Sequence, residues 1–189
     1  MIGDTLTSYA SIDAGTPDNI PADNDFVVIQ QVVTSFDPNE KQVFPAGDIA
    51  ANTSLRYTLN FQNTGTYLAT NIVLIDTLDQ DLDKTTFELI GYSHPVTSLS
   101  LTGEGVLRIV FENIMLPDSN SNEPGSHGFV SYSIKPKTGI AQGSNIYNTA
   151  SIYFDFNAPV QTNTTFNQIA NVVSVKSVST ANQNMLIFP

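Results

Sequence analysis

Oxygen-bearing side chains alternate in one short loop of the sequence, "DSNSNE". Asp118, Asn120 and Asn122 occupy every second position, and Glu123 follows directly. Calcium takes about six to eight oxygen ligands, and a D-x-N-x-N loop supplies several from one turn. However, Glu123 stands where an EF-hand loop has glycine. The loop is therefore a candidate calcium site, with a turn whose Asx side chains bond their own backbone as the simpler interpretation.

A second group of acids and amides lies near the two ends of the long central region. Asp37 and Asn39 stand in "SFDPNEK", and Asp155 and Asn157 stand in "YFDFN". If the strands that carry them are neighbours, all four side chains meet at one end of a sheet and form a second candidate metal site. The alternative, which we favour, is that Asp37 opens an Asx turn and Asp155 bonds a loop backbone.

The same region permits a covalent interpretation. Lys41 on an early strand and Asn157 on a late one, with Asp155 or Asp37 as the acid, have the layout of an intramolecular isopeptide bond. Such a bond requires a buried lysine, deprotonated by apolar surroundings, beside a protonated carboxyl group. It would be recognised by the loss of one ammonia from the intact mass.

Catalytic chemistry finds little support in the residue types. His94 and His127 are the only histidines, each beside a turn residue, and the chain has no cysteine and no tryptophan. A hydrolase triad and a zinc site both need more than this. We expect no enzymatic activity. For a carbohydrate-binding alternative, which needs exposed aromatic faces, the candidate aromatic residues are Tyr67, Tyr92 and Tyr153.

Composition narrows the range of partners. The chain of 189 residues carries 18 acidic and 7 basic residues, for a formal net charge of -11. Such a charge repels nucleic acid and anionic lipid surfaces. No stretch approaches the roughly 18 apolar residues of a membrane span. We therefore expect no nucleic-acid binding and no membrane insertion.

The elements that position these residues are predicted to be β-strands. Apolar residues alternate with polar ones, which is typical of half-buried strands. The predicted inward faces comprise Leu55, Tyr57, Leu59 and Phe61; Leu107, Ile109 and Phe111; Val130, Tyr132 and Ile134; and Ile152, Phe154 and Phe156. Turn signals separate the runs, and no amphipathic helix is evident. We predict an all-β, antiparallel, Greek-key Ig-like sandwich.

An internal sequence repeat, which we call the internal echo, suggests how the chain is divided into modules. Residues 3–35 align without a gap with residues 143–175 and share "ASI". We interpret residues 1–33 as the terminal strands of a preceding repeat module, 34–172 as one complete module and 173–189 as a linker. The first segment could dock on the complete module or self-associate with another chain by β-strand addition.

Four ordered motifs resemble a known family: "SFDPNEKQVFPAG", "YTLNFQNTGTYLATNIVLIDTL", "NIMLPDSNSNEPGSHGFVSYSI" and "NTASIYFDFNAPVQTNTTFNQI". The chain resembles the uncharacterised Ig-like repeat domain of secreted surface proteins of Bacteroidota. That resemblance implies export by type IX secretion and a place on the cell surface. The final "MLIFP" resembles the start of a truncated sorting signal. Thr5 and Thr77 lie in short segments that resemble the O-glycosylation signal of such proteins.

The sequence therefore favours a non-catalytic spacer module of a secreted, adhesin-like protein, with calcium as the one candidate cofactor and neighbouring repeat modules as partners. The alternatives are a carbohydrate- or protein-binding module of a secreted enzyme or adhesin, and a filament subunit that assembles by strand addition.

Overall fold

A computed structural model describes residues 5–11, 25–31 and 37–170, and the regular structure of these residues is almost entirely β-strand. One 3-10 turn covers Pro124–Ser126. The strands are β1 Thr5–Ser11, β2 Asp25–Gln31, β3 Lys41–Phe44, β4 Gly47–Ile49, β5 Leu55–Gln62, β6 Ile72–Thr77, β7 Leu82–Tyr92, β8 Ser98–Leu101, β9 Val106–Phe111, β10 His127–Pro136, β11 Asn145–Asn148, β12 Ala150–Phe154, β13 Val160–Gln161 and β14 Thr165–Ile169.

Two antiparallel sheets form an Ig-like β-sandwich, as predicted. One has the strand order β3-β5-β10-β7 and the other the order β13-β12-β6-β9-β8. Their inner faces carry the alternating apolar residues, and on β5 Leu55, Tyr57, Leu59 and Phe61 are all at most 1% exposed. Across the interior the ring of Phe61 lies 5.5 Å from that of Phe111, centroid to centroid. The space between the sheets is thus filled by side chains.

The same unit contains a third sheet of three strands, in the order β11-β14-β4. In this sheet β14 pairs with β4 in parallel, from Asn167↔Gly47 to Ile169↔Ile49, whereas β11 pairs with β14 antiparallel. The parallel pair departs from the expected all-antiparallel arrangement. It arises because the last strand of this unit returns beside one of its first strands.

The prediction that Phe156 points into the core was wrong. Ile152 and Phe154 are buried, but the Phe156 side chain is fully exposed. The strand β12 ends at Phe154, and Asp155 has φ 51°, in the left-handed region. A left-handed residue breaks the two-residue alternation of a strand, so the side chain after it does not return to the inner face.

The described residues divide between residues 38 and 39 into two separate compact units. In the first, β1 pairs antiparallel with β2, from Thr5↔Gln31 to Ser11↔Asp25. Their counterparts in the internal echo, β11 and β14, also pair antiparallel. The predicted linker and truncated sorting signal, residues 173–189, lie outside the described residues, as does the side chain of Thr5. Among the described residues no helix is long and apolar enough to cross a membrane.

Candidate functional site: a buried lysine, aspartate and asparagine

A cluster of polar side chains is buried inside the sandwich. Lys41, Asp76 and Asn148 are each 1% exposed, and Tyr57 and Tyr132 are completely buried. Lys41 Nζ is in direct contact with Asp76 Oδ2 as a buried ion pair. The hydroxyl of Tyr132 donates to the same carboxylate oxygen at 2.6 Å and accepts a hydrogen bond from Asn148 Nδ2 at 3.2 Å. One hydroxyl therefore links the acid to the amide.

Each of the three sheets contributes to this cluster. Lys41 begins β3, Asp76 lies on β6 and Asn148 ends β11. On β6 the acid occupies the inward position after Ile72 and Leu74, and it pairs across the sheet with Ala150 of β12. The cluster therefore lies where the two faces of the sandwich meet the third sheet.

Burial determines the electrostatics of the lysine. Loss of solvent lowers the pKa of Lys41 from 10.5 to about 8, while the negative charge and hydrogen bond of Asp76 oppose the fall. The ammonium also lies over the Tyr57 ring, 4.9 Å from its centroid, where the ring quadrupole favours the cation. Lys41 consequently releases its proton far more readily than an exposed lysine does.

The two tyrosines respond in the opposite direction. Burial and the charge of Asp76 raise the pKa of the Tyr57 hydroxyl, with a smaller opposing effect from Asn148. The same two causes raise the pKa of Tyr132. Both hydroxyls therefore stay protonated at every physiological pH. Tyr132 remains a hydrogen-bond donor to the carboxylate.

Three oxygens of the cluster have no hydrogen-bond partner. These are the Tyr57 hydroxyl oxygen, Asp76 Oδ1 and Asn148 Oδ1, each buried. A buried polar atom without a partner costs free energy of about 1 to 3 kcal/mol. The lysine, the acid and the amide are thus brought together without full hydrogen bonding, which is unusual for a purely structural polar cluster.

The isopeptide partners predicted from the sequence are not the residues beside Lys41. The Asp155 carboxylate instead accepts hydrogen bonds from the backbone N–H of Thr70 at 3.1 Å and of Asn71 at 2.7 Å. Ala150 lies opposite Asp76 in the sheet. Asp155 follows Ala150 by five residues, which at the rise of a strand places it roughly 15 Å from Asp76. Asn157 lies beyond it on the surface. The assignment of Asp155 and Asn157 as partners of Lys41 was therefore wrong.

In the Asx loop, Asp118–Glu123, most side-chain hydrogen bonds lie within the loop or reach the residues that follow it, and Asn120 Nδ2 donates to the Gly65 carbonyl at 3.5 Å. The Asp118 carboxylate accepts from the N–H groups of Asn120 and Ser121, and from the Ser121 hydroxyl at 2.7 Å, and these bonds lower its pKa. Asn122 Oδ1 accepts from the Gly125 N–H, and Glu123 Oε1 contacts His127 Nε2 at 2.8 Å. These contacts are those of a self-capping turn.

The second candidate metal site, formed by Asp37, Asn39, Asp155 and Asn157, is not brought together, because Asn39 and Asp155 lie at opposite ends of the loop 63–71. Asn39 is buried and its Oδ1 accepts from the Gln62 N–H, just before the loop 63–71, whereas Asp155 bonds the end of that loop. Asp37 and Asn157 are exposed. Within residues 5–11, 25–31 and 37–170, no three His, Cys, Asp or Glu side chains are grouped to hold a metal ion.

The aromatic candidates are distributed over different surfaces. Tyr67 is 76% exposed and lines a surface groove together with Asp155, Phe156 and Asn157. Tyr92 is exposed at the end of β7, and Tyr153 is half-buried on β12. Thr77 is exposed at the end of β6. The groove therefore contains one of the three predicted tyrosines and a phenylalanine that had been assigned to the core.

Sequence reasoning missed Asp76, Asn148 and the linking hydroxyl of Tyr132. A signal was present in the alternation of the strands. In "NIVLID" Asp76 takes the next alternate position after two apolar residues, and in "NTASI" Asn148 alternates with Ala150 and Ile152. A polar residue at an inward-facing position of a strand must have a partner inside the core. Two such residues on separate strands mark a shared polar cluster.

Solved structures give the fold a context. The N-terminal domain of the Streptococcus gordonii adhesin Sgo0707 is similar with a TM-score of 0.52 at 17% identity, over 76% of this chain and 35% of that one. A form of BcpA, the major pilin subunit of Bacillus cereus, is similar with a TM-score of 0.52 at 15% identity, over 87% and 48%. The chain thus spans about a third and about half of these structures, and the likeness is one of fold.

Sequence comparison places the chain in a family. No curated protein matches it. One family profile matches residues 37–168, which is most of the chain and includes every residue of the buried cluster. The chain belongs to the family described as a domain of unknown function, DUF7619.

Proposed function

We propose that this protein is a non-catalytic structural module that transmits force within a secreted, adhesin-like surface protein. Its fold likeness to an adhesin domain and a pilin subunit supports a surface role. The resemblance of its motifs to repeats of Bacteroidota surface proteins supports export by type IX secretion. Side chains fill the space between the sheets, which favours a rigid unit over a reaction chamber.

The observation that carries this proposal is the way the two ends of the unit 39–170 are joined. The first segment, 41–49, runs beside the last segment, 163–169, in the same direction. At one end Lys41 N donates to Asn163 Oδ1 at 2.8 Å, and Asn163 Nδ2 donates to the Lys41 carbonyl at 2.9 Å. Further along, Asn167 Nδ2 donates to the carbonyls of Pro45 and Gly47.

This arrangement determines how the unit responds to tension. The N-terminal end of the first segment and the C-terminal end of the last lie at opposite ends of the contact, because parallel segments run the same way. Tension on the two termini therefore shears the segments past each other. All the connecting hydrogen bonds then resist together, whereas peeling a strand from an edge breaks them one at a time.

Single-molecule pulling tests this proposal. The chain has no cysteine, so engineered pairs define the attachment points. Pulling through cysteines at Pro38 and Ala170 should require a higher force than pulling through cysteines at Ser98 and Glu112. The second pair opens the β8–β9 hairpin from its free end. Equal forces in the two geometries would refute a force-transmitting role for the terminal segments.

A second candidate function is ligand binding at the groove of Tyr67 and Phe156. The observation that favours it is the complete exposure of Phe156 beside a tyrosine that is itself 76% exposed. Aromatic faces next to carboxamide and carboxylate groups suit a carbohydrate ligand. On a glycan array, Tyr67→Ala should abolish binding and Tyr92→Ala, outside the groove, should preserve it. The absence of any glycan signal for the unaltered chain would exclude this candidate.

A further inference from the structure

We infer that the buried cluster forms an intramolecular isopeptide bond between Lys41 Nζ and Asn148 Cγ, with Asp76 as the proton carrier. The inference goes beyond the proposed structural role and rests on the geometry of the cluster alone. The lysine is in contact with the acid, and the Tyr132 hydroxyl links that acid to the amide at 2.6 and 3.2 Å.

The nucleophile is prepared by its surroundings. A lysine attacks a carbonyl only as the neutral amine, and burial favours that form. Lys41 is completely buried against the ring faces of Tyr57 and Tyr132. Asp76 Oδ2 touches Nζ directly and can take its proton. The transfer replaces two buried charges by two neutral groups.

The acyl group is assigned by elimination within the cluster. If Asp76 were the group attacked, a second acid would be needed to move protons. The only other buried acid among the described residues is Asp118, which is engaged in the Asx loop. Asn148 supplies a neutral amide whose Oδ1 accepts no hydrogen bond. Lysine, acid and amide then each have one role.

The reaction balances without any further reagent. The Nζ lone pair forms a bond to Asn148 Cγ, and the Cγ–Nδ2 bond breaks. Asp76 gives the proton received from the ammonium to the departing nitrogen and takes one from Nζ, so that ammonia leaves and the acid stays neutral. Tyr132 is a positioning residue, since its hydroxyl holds the acid and the amide in place. Fixed proximity of the reacting groups supplies much of the rate.

The product joins two sheets covalently. Lys41 belongs to the sheet of β3, β5, β10 and β7, and Asn148 belongs to the sheet of β11, β14 and β4. The bond therefore closes a loop that contains most of the unit, from residue 41 to residue 148. The neutral Asp76 is left able to donate a hydrogen bond to the new amide carbonyl.

The test is the intact mass of the purified full chain under denaturing conditions. The expected mass is lower than the sequence mass by one ammonia. After trypsin, cleavage at Lys41 should fail, and residues 1–56 should be found joined to residues 138–176. A full sequence mass would overturn the inference. The loss of one water with a link between Lys41 and Asp76 would overturn the assignment of the amide.

Variants give the assignment a matched control. Asn148→Ala and Asp76→Asn should both show the full mass expected for their sequences. Asn167 is also fully buried, and its Oδ1 also has no partner, but its amide holds the backbone of Pro45 and Gly47. Asn167→Ala should therefore keep the ammonia deficit, whatever it does to stability. A deficit that persists in Asn148→Ala would refute the bond.

Tyr132→Phe separates positioning from packing. It keeps the ring and removes only the hydroxyl that links Asp76 to Asn148. During refolding of a newly made chain, the mass deficit should develop more slowly in Tyr132→Phe than in the unaltered protein. Thr58→Val, which removes a hydroxyl elsewhere on the same sheet, should leave that rate unchanged. Equal rates for Tyr132→Phe and the unaltered chain would refute the positioning role. The two results are distinguished by pulling on Asn148→Ala, because without a bond between Lys41 and Asn148 the tension loads the segment 41–49 and shears it past the segment 163–169.

Discussion

Replacing Asp155 with alanine should destabilise the unit 39–170 substantially, although the side chain is only half-buried. The residue ends β12 in the left-handed region, with φ 51°. Its two carboxylate oxygens bind the N–H groups of Thr70 and Asn71 at 3.1 and 2.7 Å, just before β6 begins. Its own N–H donates to the Asn71 carbonyl. Asp155 thus holds the loop 63–71 against the end of the neighbouring strand.

The expected loss follows from two contributions. Hydrogen bonds to a charged group are worth about 1.5 to 3 kcal/mol, and partial solvent exposure places these two at or below the lower end of that range. A non-glycine residue in the left-handed region costs about 1 kcal/mol, and aspartate tolerates that region better than alanine does. The sum for Asp155→Ala is about 2 to 4 kcal/mol.

Two further variants separate these contributions. Asp155→Gly removes the carboxylate but relieves the backbone, so it should lose less than alanine by about 1 kcal/mol. Asp155→Asn keeps one acceptor oxygen and the tolerance for the left-handed region, and it should lose least. The assay is urea unfolding, in which the midpoint should fall while the slope stays constant. A loss below about 0.5 kcal/mol for alanine, or equal losses for alanine and glycine, would refute this account.

Three other outcomes are expected. Gly128→Ala should cost about 1 to 3 kcal/mol of stability, because its new methyl would lie 2.2 Å from a ring carbon of Phe61, whereas Gly103→Ala, with no atom within 4 Å, should be neutral in the same thermal melt. In Asn148→Ala, which leaves the Lys41 amine unbonded, the free energy of unfolding should rise with pH above about 8. The reason is that folded Lys41 loses its proton with a pKa of about 8, whereas the unfolded lysine keeps its proton up to its pKa of 10.5. Above about pH 10 the trend should reverse, because burial raises the pKa values of Tyr57 and Tyr132 in the folded state. A flat profile in that variant, followed by urea unfolding at each pH, would contradict the protonation argument. Calcium and chelator should give equal melting temperatures, because the Asp118 carboxylate already accepts hydrogen bonds within the Asx loop; a rise with calcium would restore the metal hypothesis.

Alternation in the sequence was sufficient to predict the sandwich, because burial of one strand face is a local property. On β5, β9 and β10 every residue predicted to point inward is buried. The pattern failed at Phe156, where an aspartate in the left-handed region ended the strand. A motif such as "YFDFN" does not distinguish a continuing strand from one that turns, since both present alternating residues.

The buried cluster depends on pairing between distant segments, so its membership could be anticipated only in part. The sequence identifies Lys41 as the candidate nucleophile, but it points to Asp155 or Asp37 as the acid and to Asn157 as the amide. Asp76, 35 residues from Lys41, reaches it only because β3 and β6 face each other across the sandwich. No local pattern contains that information. The sequence does contain charged and amide residues at strand positions that the alternation predicts to be buried. Each such residue requires a partner inside the fold.

The energetic cost of the cluster is the strongest reason to regard it as more than packing. Removing a lysine and an aspartate from water costs several kcal/mol for each ion, and apolar residues of similar volume are often as stable or more so. Here the cluster also contains three buried oxygens without partners, which adds to that cost. A condensation that leaves a neutral acid and a neutral amide removes both charges from the core. Under this inference the ion pair between Lys41 and Asp76 is the arrangement before the reaction, and the product no longer holds two charges in the core.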